Sequence, residues 1–216
     1  ELHCRSSFSF LDGASPPEEL VETAARLGLE ALAVTDRDGF YGVVRQAEAA
    51  AAVGVPSVFG ADLGLVADDP HGDPVDPADP LGRVVVLARG PEGYAALGRA
   101  ISAGQMAGEK GAPRLTLADL AGVGGRGAAA EDRWVVLTGG ADGLVPSALL
   151  AEGPAAARRR LQELIALFGA EAVRVEVWDH GDPIDAARND ALVEMALRHG
   201  VEVVATNDVR YATPAR

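Results

Sequence analysis

The chain has 216 residues, a formal net charge of −13 and one cysteine. This length can bury a substantial core, no apolar run approaches the length of a membrane span, and a single cysteine excludes an internal disulfide. The negative charge repels nucleic-acid phosphates, which argues against DNA binding by this chain alone, and the cysteine usage favours a reducing cytoplasm.

Short Val-rich runs bounded by Gly, Pro or Asp recur along the chain and are typical of buried strands. The first of them contains Glu1, without an initiator methionine or a signal segment, so we expect a piece cut from the N-terminal part of a longer protein. The predicted strands are 1–5, 30–35, 57–66, 83–89, 133–139, 172–179 and 201–207.

Helical patterns alternate with these strands. Ser15, Pro16 and Glu18 lie where a capping box would place its N-cap, N1 and N3 residues, which predicts the start of the first helix. Segment 67–80 is acidic and Pro-rich, and segment 121–132 is rich in Gly and Ala. Both compositions predict flexible surface excursions without a domain boundary. The predicted helices are 16–28, 41–54, 91–104, 153–169 and 184–200.

The alternation of strands and helices predicts an α/β fold with parallel strands and crossover helices. Near-continuous apolar strands indicate burial on both faces, as in a barrel or a doubly wound sheet. In a parallel barrel, functional side chains gather where the strands end. The candidates near the predicted strand ends are His3, Arg5, Asp12, Asp36, Arg37, Asp38, Asp62, Arg83, Gly140, Asp208 and Arg210.

Several long sequence words resemble one known family. They are ELHC-SSFSFLDGAS, VTD-DGFYGVVR, VVLARGPEGY and VVATNDV-YATPAR, where a hyphen marks a departure. They resemble the PHP (polymerase and histidinol phosphatase) domain at the start of bacterial C-family DNA polymerase III alpha subunits, and most of all its error-prone, ImuC-like branch. The resemblance covers essentially the whole chain. It implies a distorted (β/α)7 barrel formed by residues 1–216 as a single domain.

The resemblance also implies that this domain is part of a larger polymerase with its own partners. A polymerase body would follow Arg216, and the parent would be an error-prone polymerase of translesion synthesis. Mg²⁺ is then expected only in that body, and DNA would be contacted only through it. The implied partners are the remainder of the polymerase chain and other replication or mutasome proteins, without a membrane.

Metal-competent members of the family hold a cluster of metal ions with His, Asp, Glu and sometimes Cys ligands. By position, the resemblance implies that His3, Asp12 and Asp208 match these ligands and that Asp62 stands for a Glu. Arginine occupies four further ligand positions, and glycine occupies a Cys or His position. These five are Arg5, Arg37, Arg83, Arg210 and Gly140. Because arginine stays charged and cannot ligate a metal, we expect no metal ion and no catalysis in this domain.

The remaining carboxylates still need positive neighbours, since crowded like charges raise carboxylate pKa values and destabilise a fold. A guanidinium group can bridge two carboxylates through charge-assisted hydrogen bonds. We predict that at least two of the four arginines form direct salt bridges to Asp12, Asp62, Asp208, Asp36 or Asp38. The last two fit equally well as turn-forming residues after a strand.

Two functions of different classes remain open from the sequence. The first is a non-catalytic structural and docking domain of an error-prone polymerase. The second is a metal-dependent phosphoesterase or 3′–5′ exonuclease with a reduced site, which needs a single ion held by His3, Asp12, Asp62 and Asp208. A closed metal site takes about four good ligands, so the second function depends on all four of them.

Overall fold

The computed structural model describes residues 1–68 and 81–214. Within these ranges the chain forms eight helices and six strands. Their order is α1 (Pro17–Leu27), β1 (Leu32–Val34), α2 (Val43–Val53), β2 (Ser57–Leu65), β3 (Gly82–Ala88), α3 (Gly90–Ala107), α4 (Leu117–Gly124), α5 (Ala128–Glu131), β4 (Trp134–Leu137), α6 (Leu144–Ala151), α7 (Pro154–Phe168), β5 (Val173–Val177), α8 (Asp185–His199) and β6 (Glu202–Ala205).

The six strands form one sheet in the order β1 to β6, which confirms the α/β class. The pairs β1–β2, β4–β5 and β5–β6 are parallel, whereas β3 runs antiparallel to both β2 and β4. The expectation of parallel strands throughout is therefore wrong at β3. Val84, Val85 and Val86 are buried on both faces of the sheet, a pattern that does not reveal the direction of the strand.

The first predicted strand is reduced to a single β-bridge, but it still completes the barrel. On one side, the backbone N–H of Ala33 in β1 donates to the carbonyl of Glu1, and that of Thr35, just after β1, donates to the carbonyl of Cys4. On the other side, His3 and Arg5 exchange backbone hydrogen bonds with Val209, beyond the end of β6. The first five residues therefore hold the seventh strand position, between β1 and the segment that follows β6.

The five predicted helices are present as α1, α2, α3, α7 and α8. The capping box expected at Ser15 is wrong, because Pro16 is the N-cap residue and no side chain caps α1. Ser15 Oγ instead accepts a hydrogen bond from the backbone N–H of Ala212. No helix in the described ranges is long and apolar enough to cross a membrane.

The expected flexible excursion at 121–132 is also wrong. Most of this segment belongs to α4 and α5, and Ala121 and Ala130 are buried in the core. A capping box between Thr116 and Asp119 begins α4. The Gly and Ala residues here allow close packing of short helices, which composition alone does not distinguish from a loop. Of the other excursion, residues 69–80 lie outside the described residues.

A small apolar cluster fills the interior of the barrel and supports the polar site at one end. Ala33, Val85, Leu87 and Leu137 come from three different strands and pack against one another. Val85 lies opposite Asp62 in the sheet register, so the apolar interior passes directly into the polar cavity. The larger core lies outside the sheet, between it and the helices from α3 onward.

Candidate functional site

The residues singled out at the strand ends lie together at one end of the barrel. His3 and Arg5 come from the first segment, and Asp62 lies in the second half of β2. Arg83 lies near the start of β3, but that strand runs in the opposite direction and brings its first residues to the same end. His3, Arg5, Asp62 and Asp208 are all buried.

Arg5 is the centre of the site and its side chain is fully buried. Its Nε and Nη2 donate to Asp62 Oδ2 at 3.0 and 2.8 Å, and its Nη1 donates to Asp208 Oδ1 at 2.7 Å. Asp12 Oδ2 lies 3.2 Å from Arg5 Nε. Burial lowers the pKa of Arg5, but these three carboxylates outweigh burial and raise it, so Arg5 stays charged.

Arg83 contacts the same buried carboxylate from the opposite side. Its Nε donates to Asp62 Oδ1 at 3.0 Å and its Nη2 donates to Asp38 Oδ1 at 3.1 Å. Burial raises the pKa of Asp62, but the charge of Arg83, the nearby imidazole of His3 and the charge of Arg5 lower it far below its usual value. Asp62 is therefore ionised throughout the physiological pH range.

Arg37 and Arg210 form the half-exposed outer part of the cluster. Arg37 Nη2 donates to Asp142 Oδ2 at 2.7 Å, and its Nε lies 2.8 Å from Asp12 Oδ2 without hydrogen-bond geometry. Arg210 Nη1 lies 2.9 Å from Asp12 Oδ1, and its Nη2 donates to Asp208 Oδ2 at 3.2 Å. Asp12 thus contacts arginines from three different segments.

Asp36 has a different role from the other aspartates. It accepts hydrogen bonds from the backbone N–H and the hydroxyl of Ser6, from the hydroxyl of Ser9 and from the backbone N–H of Gly42. No arginine lies within ion-pair distance of it among the described residues. Asp36 therefore organises the loops, as the turn-forming interpretation expects.

His3 pairs with an acid that comes from another strand. Its Nδ1 lies 2.7 Å from Glu176 Oε1, and Thr206 Oγ1 donates to the same oxygen. Burial lowers the pKa of His3, but the charge of Glu176, the contact with its carboxylate and the nearby carboxylate of Asp62 raise it to about 10. His3 is therefore a cation at neutral pH, and its Nε2 lies 3.5 Å from Asp208 Oδ1.

Gly140 lies at the wall of the cavity, next to Asp208. A Cβ atom at Gly140 would lie 3.0 Å from Asp208 Oδ2 and 3.6 Å from His3 Cε1. The first of these distances is short for a carbon atom next to a carboxylate oxygen. Asp208 therefore occupies the space into which a side chain at position 140 would extend.

One family model matches most of the chain. The family model for the PHP domain matches residues 1–180. The chain belongs to the PHP domain family.

The relatives of this PHP domain are much longer proteins. It is 51% identical over 217 aligned residues to an error-prone DNA polymerase of Mycolicibacterium paratuberculosis, covering 100% of this chain and 19% of that protein. It is 46% identical to an error-prone DNA polymerase of Cutibacterium acnes, covering 98% of this chain and 18% of that protein. The PHP domain thus spans about a fifth of the length of the curated relatives that it matches.

Two solved structures share the fold of the PHP domain at low sequence identity. A protein of Bifidobacterium adolescentis, assigned as a metal-dependent phosphoesterase, has a TM-score of 0.59 at 19% identity, over 99% of this chain and 88% of that one. An amidohydrolase of Chromobacterium violaceum, with bound sulfate and no metal, has a TM-score of 0.58 at 17% identity, over 98% and 87%. At such identities the similarity supports the barrel fold alone.

Sequence reasoning missed two acids of this PHP site. Glu176 lies among valines in β5, and such an acid in a buried strand could have been recognised because its charge needs a partner. Asp142 lies in a loop after β4 and looks like an ordinary turn residue in the sequence. Its ion pairs with Arg37 and, at a longer distance, with Arg5 distinguish it in the folded protein.

The charge of Asp208 is expected to stabilise the PHP domain. Asp208 has a backbone φ of 43°, a left-handed conformation that asparagine tolerates well, so Asp208→Asn removes the charge without straining the backbone. Arg5 and Arg210 then lose charge-assisted hydrogen bonds, and we expect the free energy of unfolding to fall by roughly 2–3 kcal/mol. Urea-induced unfolding measures this change.

The matched control for this substitution is Glu194→Gln, which neutralises an exposed acid paired with Arg198 on α8. An exposed pair of this kind contributes less than about 1 kcal/mol. If Asp208→Asn unfolds at the same urea concentration as the unchanged protein, the ion pairs of Asp208 do not stabilise the fold.

Proposed function

We propose that this chain is the PHP domain of an error-prone DNA polymerase of the ImuC-like branch and that residues 1–216 act there as a structural and docking domain. In this proposal the domain has no catalytic activity and binds no metal ion, and Mg²⁺ serves only the polymerase body. The relatives named error-prone DNA polymerase support the setting. Its partners would be the rest of its own chain and other replication or mutasome proteins in the cytoplasm.

One observation carries the proposal. All six carboxylate oxygens of Asp12, Asp62 and Asp208 lie within 3.2 Å of a guanidinium nitrogen. These are the acids that the family resemblance places among the metal ligands. The arginines therefore occupy the positions around these carboxylates that divalent ions would need.

A metal cluster fits these residues poorly for a second reason, which is charge. Four guanidinium groups and the protonated His3 already face the carboxylates of the cavity. A divalent ion would add further positive charge next to arginines that cannot lose a proton. It would also require a neutral imidazole, so His3 would have to give up the proton that Glu176 and Asp62 stabilise.

The arginine cluster supports a structural role. Asp12 joins the first loop to Arg37 after β1 and to Arg210 after β6, and Asp62 joins β2 to β3 through Arg83. These links fix several loops relative to one another. Partly buried pairs need not add net stability, but they fix one arrangement of the loops.

A second candidate function is a phosphoesterase or 3′–5′ exonuclease with one residual ion. The presence of His3, Asp12, Asp62 and Asp208 close to one another favours it. It would require the arginines to leave these carboxylates before an ion could bind.

Metal analysis of the purified chain tests the two functions against each other. We expect less than one equivalent of Zn²⁺ or Mn²⁺ after incubation with excess metal and removal of the unbound ion. We also expect no metal-dependent release of 3′ nucleotides from DNA. Stoichiometric metal with such release would overturn the structural proposal and favour the exonuclease.

The matched variant restores histidine at four positions as Arg5→His, Arg37→His, Arg83→His and Arg210→His. We expect it to bind more metal than the unchanged chain, because the change both frees carboxylates and adds neutral donors. Gly140 still leaves one ligand position vacant. If the fourfold variant does not fold, the double variant Arg37→His/Arg210→His changes only the half-exposed arginines and serves the same purpose.

A further inference from the structure

The loop between the first segment and α1 carries two large apolar side chains at its tip. Phe10 is 85% exposed and Leu11 is 93% exposed. Leu11 also has a backbone φ of 63°, in a region that a bulky residue seldom adopts. We call Phe10 and Leu11 the apolar tip.

The apolar tip is held in place from both sides. On one side, Asp12 directly follows the tip and contacts three arginines of the cavity. On the other side, Ser9 donates its hydroxyl to Asp36, and its carbonyl accepts a hydrogen bond from the backbone N–H of Asp12. An unfavourable φ persists only where the surroundings fix it, and here the arginine cluster does so.

The same loop is tied to the last described segment of the chain. The backbone N–H of Ala14 donates to the carbonyl of Arg210, and that of Ala212 donates to Ser15 Oγ. The apolar tip and residues 210–212 therefore share one rim of the barrel. In the relatives, the region that matches this chain is only 19% or 18% of the protein, so a much larger body belongs to the same polypeptide.

We propose that the apolar tip docks into an apolar pocket on the polymerase body of the same chain, an inference that rests on the proposed function. Two large side chains on a fixed loop lose little conformational entropy when they bind, and such preorganised apolar residues contribute strongly to interfaces. In this proposal the arginine cluster positions the apolar tip, because it fixes Asp12, which directly follows the tip.

Photo-crosslinking in the complete polymerase chain tests this proposal. Phe10 is replaced by p-benzoylphenylalanine, the protein is irradiated, and the crosslinked peptides are identified by mass spectrometry. We expect a crosslink from position 10 to residues beyond 216 of the same polypeptide. The matched control places the same amino acid at Met106, which is 87% exposed on α3, and it should not crosslink to the body.

A second variant gives an independent measurement. Phe10→Ser/Leu11→Ser in the complete chain is expected to speed proteolytic cleavage between the domain and the body several-fold, whereas Met106→Ser leaves the rate unchanged. The proposal is overturned by crosslinks only to a second copy or to another protein, by the absence of crosslinks, or by an unchanged cleavage rate.

The metal content of the same sample separates this inference from the proposed function. A metal-loaded domain that still crosslinks to the body would refute the non-catalytic role and leave the docking tip standing. A metal-free domain without the crosslink would refute the docking tip alone.

Discussion

Arg5→Met is expected to lower the free energy of unfolding by roughly 3–5 kcal/mol, the cost of leaving buried charges without their partner. Methionine fills a similar volume but donates no hydrogen bond. Asp208 Oδ1 and Asp62 Oδ2 would each lose their guanidinium donors while remaining buried. Urea- or heat-induced unfolding of the two proteins measures the difference.

Arg198→Met provides the control, because it breaks an exposed pair with Glu194 on the surface of α8. We expect that change to cost less than about 1 kcal/mol. If Arg5→Met and Arg198→Met destabilise the fold equally, the buried arginine cluster has no special role in stability.

The stability of the domain is expected to fall as the pH rises above neutrality, because of His3. Burial lowers the pKa of His3, but Glu176 and Asp62 outweigh burial and raise it from 6.5 to about 10 in the folded protein. The stabilisation is therefore fully present below pH 6.5 and is lost as the pH rises through about 10. Since each pKa unit corresponds to about 1.4 kcal/mol, we expect a loss of about 2 kcal/mol between pH 6.5 and 8.5.

Cys4 also lowers the stability of the folded state at high pH, because burial raises the pKa of its thiol. Most of this effect lies above pH 8.5, outside the chosen window. Urea titrations at pH 6.5, 7.5 and 8.5 give the slope. His3→Gln keeps a hydrogen-bonding side chain but cannot titrate, so its stability should change little across the window. An equal slope in both proteins would show that another group causes the pH dependence.

Much of the fold could be predicted from the sequence, because the spacing of apolar residues indicates which segments are buried strands or helices. The Val-rich runs and the helical segments marked six strands and five helices near their observed positions. The direction of β3 could not be predicted from its sequence. Val84, Val85 and Val86 are buried on both faces of the sheet, and such an apolar run looks the same in a parallel and an antiparallel strand. The first segment was also predicted as a strand, and it takes the strand position with only one bridge, at Cys4.

Local capping was less predictable, because a capping residue has several possible partners. Ser15 lies next to a helix start in the sequence, yet its hydroxyl accepts a hydrogen bond from Ala212, nearly 200 residues away (|i−j| = 197). The Gly- and Ala-rich segment that looked flexible forms parts of α4 and α5 because tertiary contacts bury Ala121 and Ala130.

The sequence by itself determined the family and the alternation of strands and helices, and it led to the expectation that Arg5, Arg37, Arg83 and Arg210 stand at ligand positions. These are properties of residue type and order. Only the tertiary structure decided which charges meet, because the partners come from strands far apart in the chain. The pairing of Glu176 with His3 depends on such long-range packing. So does the direction of β3, which carries Arg83 to the cavity.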